Sequence, residues 1–404
     1  METLYSVNLM PIEPILFGDN RSARAGDDHL IRDQDPSPHT IFGAIGASII
    51  NMFGAKNTKP QWNAVKDFLG EFEPDISSGS ENRSELLGYH FLNTNGDRLF
   101  PMPQHIRLTA PDGGTPKIGE SMLLKKLQTE LTACSLRDFT DFLSFAPDEH
   151  EEEINIQINE NLLEKLLCGR DCKGMMLKPA ENNFPIEQLY KGEVRRGLGM
   201  NYEKNSTREG ILFSRPYRRF FSNIYLDTGE WRSVSIQAYF KTLKSLESDA
   251  ISKKQLAFLG GDRGRAFISF TPLDVDKPLA AMRQAVQNSV TDTSGFFTYF
   301  LTPAVRQENW PCTAGLEPIA AAIGKSTCIS GWNTDPNNQH PRPILRLIPA
   351  GSTFFYPWPT NYSDDAKRNL IEENWLEPVT KGSTEDFRNS GFGRILIGVW
   401  KDEN

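Results

Sequence analysis

Asn389-Ser390-Gly391-Phe392-Gly393-Arg394 runs directly into Ile395-Leu396-Ile397-Gly398-Val399-Trp400 near the end of the chain. The first six residues are a glycine-rich loop with one basic side chain. The next six are apolar, β-branched and aromatic-ended, the composition of a buried strand. Glycine reaches backbone conformations closed to other residues and leaves its N–H uncovered. Successive bare N–H groups form a concavity that suits an anion, and Arg394 would add a guanidinium fork to it. A tight turn is the plainer use of the same residues. An upstream echo makes the stretch decisive: Leu259-Gly260-Gly261-Asp262-Arg263-Gly264-Arg265, then Ala266-Phe267-Ile268-Ser269-Phe270. Two endings of loop-then-strand imply two related domains.

Outward from the last strand, Ser363-Asp364-Asp365 offers an N-cap and early acids for a helix to about Glu373. Leu345 to Tyr356 reads as a strand bent at Pro349-Ala350-Gly351, Ser326 to Trp332 as a strand, Gly315 to Ile323 as a short helix, and Phe296 to Leu301 as an aromatic strand. The resulting β-α-β-β-α-β order is the ferredoxin-like split motif, whose four-stranded sheet RNA-recognition modules use. The N-terminal part starts alike, with a strand over Leu4 to Ile12 and a helix capped by Ser37-Pro38-His39-Thr40 that runs to about Phe53. Residues 55–190 are diffuse, with turn clusters, an amphipathic stretch from Glu120 to Leu131 and an acidic run from Asp148 to Glu153. The expected fold is therefore α+β: two ferredoxin-like (RRM-like) domains with glycine-rich loops, over 1–275 and 276–404. The first carries large insertions (about 55–190) and a basic hairpin (about 191–221).

Charge locates the candidate site. The chain of 404 residues has a formal net charge of -8, which argues against unselective nucleic-acid binding over its whole surface. Between 191 and 221 the sign reverses: Lys191, Arg195, Arg196, Lys204, Arg208, Arg215, Arg218 and Arg219 stand against Glu193, Glu203 and Glu209. Tyr202, Phe213, Tyr217, Phe220 and Phe221 are interleaved with them. Arginine forks suit phosphate and aromatic faces suit stacked bases. An exposed hairpin whose long cationic side chains cover apolar surface fits the same pattern. A second candidate is the polar loop from Gly18 to Gly26 with Arg21 and Arg24, beside the helix start at Ser37 to Thr40, whose free N–H groups favour a phosphate. An ordinary loop and cap would read the same way.

Catalytic and metal chemistry find little support. Of six histidines, His29 and His39 lie near the candidate RNA site, but no acid–base partner stands out by spacing. No Walker loop, H-E-x-x-H or G-x-S-x-G is present. The five cysteines (134, 168, 172, 312 and 328) do not form a disulfide framework, and nothing completes Cys168-x-x-x-Cys172 as a zinc site. No cofactor or metal is expected. No run of about 18 apolar residues and no leader pattern is found, and the mean hydropathy is -0.45; a cytoplasmic protein away from membranes is expected.

The chain resembles the RAMP superfamily of CRISPR proteins, and within it the third subunit of the type III-B Cmr effector complex. The resemblance rests on ordered segments: Pro14 to Arg21, Pro36 to Ala44, Gly192 to Gly197, Gly210 to Phe213, Leu259 to Arg263, Leu301 to Ala304, Gly331-Trp332, Ile348 to Ser352 and Gly391 to Gly393. It implies a non-catalytic subunit that grips the 5′ handle of the guide RNA (crRNA). It also implies binding to the large polymerase-cyclase subunit and to a backbone RAMP subunit. By motif, RNA contacts would come from Arg21, Arg24, Ser37, His39, Thr40, Arg195, Arg196, Arg215, Arg218, Arg219, Gly260, Gly261, Arg263 and Arg265, with Arg394 as an outlying contributor. Two other functions fit parts of the pattern: a metal-independent endoribonuclease that processes CRISPR repeats through His39 or His29, and a pure protein scaffold.

Overall fold

The structure, a computed structural model, describes residues 2–18, 34–53, 55–56, 59–60, 67–69, 83–109, 117–121, 123–126, 141–144, 156–177, 183–185, 189–201, 206–225, 230–246, 251, 254–275, 277–306, 313–330, 332–333, 340–341, 343–379, 387 and 389–401. Arg21, Arg24, His29, Cys134, Cys312 and the acidic run lie outside these residues. The fold is α+β, built mostly of antiparallel sheets with few helices.

Strand β1 (Thr3–Pro11) shows why the first sheet forms: Tyr5, Val7 and Leu9 alternate inward and are fully buried, while Ser6 and Asn8 are half-buried. Helix α1 (Pro38–Phe53) follows, with Ile41, Ala44, Ile45, Ser48 and Ile49 buried at helical spacing. The Ser37 hydroxyl accepts from the Thr40 N–H at 3.3 Å, and Pro38 supplies the preset φ of a first helical residue. Strands β2 (Glu85–Leu92), β3 (Arg98–Pro101) and β4 (Ile156–Asn159) come next, then helix α2 (Glu160–Leu167) and β5 (Asn183–Pro185). A long hairpin, β6 (Tyr190–Asn201) and β7 (Ser206–Phe220), precedes β8 (Ser235–Thr242), β9 (Gln255–Phe258) and β10 (Arg265–Pro272). The first sheet has the order β5-β4-β3-β2-β8-β1-β10-β9.

The second sheet uses β11 (Gly295–Phe300), β12 (Ala320–Ala322), β13 (Thr353–Pro357) and β14 (Ile395–Trp400) in the order β12-β13-β11-β14. Its centre is aromatic, with Phe296 stacked on Tyr356 at 4.9 Å and Phe297 packed on Phe355 at 5.4 Å. Helices α3 (Ala280–Gln287) and α4 (Asp364–Asn374) pack on it. The α4 cap is the expected one, Ser363 accepting from the Ala366 N–H at 3.2 Å. Inner strands β2-β8-β1-β10 of the first sheet and β12-β13-β11-β14 of the second share one chain-order pattern, second-third-first-fourth, all antiparallel. In both, a glycine loop leads into the last strand of the set.

Two expectations are corrected. Residues 315–323 do not form a helix: Pro318 lacks the N–H a helix interior needs, and Ala320–Ala322 instead pairs with Thr353–Phe355 as an edge strand. The segment from Leu345 to Tyr356 is two strands in different sheets, because Leu345–Ile348 pairs with Thr327–Ile329 and Ala304–Val305 while β13 pairs with β11.

The region read as an insertion does more than decorate the first sheet. Strands β3, β4 and β5 widen that sheet. Helix α2, capped by Asn159 and burying Leu162, Leu163, Leu166 and Leu167, packs against β3 and β4 of that sheet and also against α3 and β14. The larger core therefore combines Phe100, Ile158, Leu163, Cys168 and Cys172 with Phe297, Trp375 and Ile397. On the same sheet, Tyr299 donates to the Pro101 carbonyl at 2.7 Å, and His105 sits between Phe297 and Phe355.

Candidate nucleic-acid interface

The β6/β7 register sorts the hairpin side chains. Lys191 faces Arg219, Glu193 faces Tyr217 and Arg195 faces Arg215. Directly opposed residues share a face, so these six lie together. Val194, Arg196, Ser214, Pro216 and Arg218 lie on the other. The hairpin base is anchored by Tyr190 and Phe220, buried with Phe17 and Phe91. Ile15 and Arg218 exchange backbone hydrogen bonds of 2.9 and 2.7 Å.

The first face is an ion-pair network. Arg195 donates from Nε to Glu193 Oε1 at 2.8 Å, and Arg219 donates to Glu193 Oε2 at 2.6 Å. Arg195 also lies 4.5 Å over the Tyr217 ring, whose hydroxyl donates to Asp262. Arg215 pairs with both Asp262 oxygens. Arg265 grips Glu13 through its side chain at 2.7 Å and its backbone N–H at 2.9 Å. Hydrogen bonds from Arg195, then Arg219, hold the Glu193 carboxyl below its ordinary range. The Arg265 side chain does the same for Glu13. At Asp262 burial works upward, but the hydrogen bonds from Tyr217 and Arg215 outweigh it and the net shift is down. All three carboxylates are therefore charged at neutral pH.

The glycine loop before β10 is docked. Gly261 N–H donates to the Leu16 carbonyl at 2.8 Å, and Gly264 N–H to the Gly261 carbonyl at 3.2 Å, so neither is bare. Gly260 has φ +71°, and a Cβ there would meet Leu16 O at 2.5 Å. Gly260→Ala is expected to cost about 3 kcal/mol, since strain at positive φ and a backbone clash add. A denaturant midpoint unchanged from wild type would contradict this docking. Arg263 is exposed, at φ 55°.

Two of the arginines expected at the RNA are buried in ion pairs. Arg218 is 3% exposed; its guanidinium lies 4.2 Å over Tyr190 and pairs with Asp35 at 2.6 Å, clamping the hairpin to the segment before α1. Arg394 is 0% exposed, donates to the Leu376 carbonyl at 3.0 Å and pairs with Glu85 of the first sheet. Its glycine loop holds no anion cradle: a Cβ on Gly391 would fall 2.7 Å from Leu86, and the Gly391 carbonyl accepts from Thr302. The loop joins the two sheets.

Ser37, His39 and Thr40 stand together at the start of α1, where the two halves meet. His39 packs edge-on against Phe392 at 4.8 Å and near Phe387, and Gln34 Nε2 donates to the Cys328 carbonyl. Phe17 and Gln34, which bracket the segment with Arg21 and Arg24, are hydrogen-bonded at 3.2 Å. Sequence reasoning missed the acids Glu13, Asp35, Glu193 and Asp262. The period-2 spacing of Glu193 and Arg195 signalled one pair. Nothing local signalled Glu13 or Asp35, which meet their arginines across 252 and 183 residues.

The model of the family described as CRISPR-associated protein (Cas_Cmr3) matches residues 7–400. The chain belongs to that family. Two solved structures similar to this Cas_Cmr3 family member are described as "Cryo-EM structure of the Type III-B Cmr-beta bound to cognate target RNA" and the same complex with AMPPnP, state 1. The first matches at 15% identity and TM-score 0.46, covering 96% of each chain. The second matches at 14% identity and TM-score 0.47, covering 97% of this chain and 95% of the other. No curated protein sequence matches. Among the described residues, no helix is long and apolar enough to cross a membrane.

Proposed function

We propose that the protein is a non-catalytic subunit of a type III-B Cmr complex that grips the 5′ handle of the guide RNA. It joins the large polymerase-cyclase subunit to a backbone subunit in cytoplasmic antiviral defence. The observation that carries the reading is the arginine-lined hairpin face in a chain matched almost end to end by the Cas_Cmr3 family. On this reading Arg195, Arg215, Arg219, Arg263 and Arg265 hold phosphates on that side and Arg196 on the other, with Arg21, Arg24 and the α1 start contributing. Gly260 and Gly261 shape the adjoining loop. The repeated strand order supports two ferredoxin-like units, divided near residue 275, as the framework.

The test is crosslinking in the assembled complex on guide RNA photolabelled in its 5′ handle, with wild type and an Arg195/Arg196/Arg219→Ala variant. Handle crosslinks to this subunit should fall about tenfold in the variant at about 0.1 M salt, each lost phosphate contact removing roughly 0.7 of a counterion release. Crosslinks confined to other subunits would replace this reading with a protein scaffold. RNA cleavage by the isolated chain, lost on His39→Ala, would replace it with the endoribonuclease.

A further inference from the structure

The hairpin face has more cations than anions, yet its arginines are spoken for. Arg219 spends one whole guanidinium edge, Nε and Nη2, on a single oxygen of Glu193, at 3.0 and 2.6 Å. Arg195 spends its Nε on the other oxygen of the same carboxylate. Arg265 commits the equivalent edge to Glu13, at 3.1 and 2.7 Å, and Arg215 commits Nη1 to Asp262. Four arginines thus share three carboxylates on one surface. The carboxylates are not buried structural ions: Glu193, Asp262 and Glu13 side chains are 32%, 36% and 29% exposed.

Two consequences follow from the chemistry. A guanidinium has five N–H donors in a planar fork, so an arginine held by one edge still presents donors on the other, already oriented. But a cation already neutralised by a protein carboxylate brings little net charge to a phosphate, so fewer of the counterions condensed on the RNA are released there. Geometry is kept while indiscriminate attraction is reduced. Repulsive or competing groups against the wrong ligand are one of the two routes to specificity.

We propose that Glu193 and Asp262, with Glu13 beside them, are specificity-determining residues that hold the hairpin arginines in oriented forks while suppressing their grip on arbitrary single-stranded RNA. This rests on the RNA-gripping reading above. A ligand with phosphates at matching spacing, presented by the assembled complex, engages the remaining donors. A random strand meets a face whose positive charge is largely offset. Glu193 is the cleaner probe, because its recorded partners Arg195 and Arg219 both lie in the hairpin. Asp262 also ties the glycine loop to Tyr217 and Arg215.

The experiment measures affinity of the full chain for a uridine homopolymer as a function of salt, for wild type, Glu193→Gln, and Glu193→Gln/Asp262→Asn. Each amide keeps the shape and removes one charge. The single variant is expected to bind about 5-fold tighter at about 0.1 M salt and the double about 25-fold, with the slope of log affinity against log salt steepening by about 0.7 per charge removed. Handle crosslinking in the assembled complex is measured in parallel and should stay at its wild-type level, so that discrimination falls. If the carboxylates only brace the face, the variants would bind homopolymer less tightly or with an unchanged slope, while wild-type handle crosslinks persist. That result overturns the inference and leaves the RNA reading standing. If neither wild type nor variants contact any RNA, the RNA reading fails and takes the inference with it. Thermal unfolding of Glu193→Gln close to wild type identifies a change in affinity as electrostatic; a large drop with weaker binding counts against the inference.

Discussion

Glu85→Leu is expected to destabilise the folded protein by about 3 kcal/mol, because it strips the carboxylate from a guanidinium that water cannot reach. Arg394 is 0% exposed and its acid partner is 22% exposed. The pair spans the two sheets: Glu85 opens β2, and Arg394 immediately precedes β14. An unpaired buried charge costs far more than an absent pair. The double variant Glu85→Leu/Arg394→Met should therefore recover more than half the loss, although the Leu376 carbonyl then loses its donor. Equilibrium unfolding by urea, read with the family partners absent, measures both. A Glu85→Leu midpoint equal to wild type would mean that the pair does not join the sheets. A double variant no better than the single one would mean that Arg394 acts through its shape and its bond to Leu376, not its charge.

Acid should weaken the protein well above the usual carboxylate range. His90 and His105 are buried, and burial pushes both imidazoles down from 6.5 to about 3. His90 sits between the Phe91 carbonyl and the Tyr239 hydroxyl, each at 3.1 Å, and His105 is 3.2 Å from Thr353 Oγ1. Between about pH 6.5 and 3 the unfolded chain binds protons at these positions and the native chain does not. Stability therefore rises with pH in that window and falls as pH drops, by about 1.4 kcal/mol per pH unit per histidine. From pH 7 to pH 5 the two together should cost about 4 kcal/mol. Glu13, Glu193 and Asp262 have lowered native values, so their contribution is lost only below their ordinary range, near pH 4.5 and under. Unfolding free energy measured across pH 5 to 7 should halve its slope in His105→Gln, whatever that variant does to stability at pH 7. An unchanged slope would show that His105 titrates alike folded and unfolded.

Local pattern made part of this molecule legible. The α1 cap at Ser37 and the Ser363 cap of α4 rest on neighbours three residues away, and the strand at Ile395 to Trp400 and the hairpin near 191–221 show in their local composition, although their ladder partners lie farther along the chain. Those interactions are the ones a linear reading can weigh. The helix expected over 315–323 failed because its small alanines were weighed without the strand they would meet, β13. The two glycine-rich loops each precede the last strand of their set, but their surroundings differ. One docks on Leu16 beside an exposed charged face; the other is sealed against Leu86 and carries a buried arginine.

The sequence by itself determined the α+β class, the family and the place of the positive cluster, because strand periodicity, caps, motif order and charge density are properties of short segments. Tertiary structure alone decided which arginines face solvent and which acids they meet. Arg218 is clamped to Asp35 and Arg394 to Glu85, while Arg196 and Arg263 stay exposed. It also decided that residues 156–177, expected to decorate the first half, complete the core of the second. The reason is physical: burial and charge pairing depend on groups brought together across hundreds of residues, and no local propensity encodes which distant group arrives.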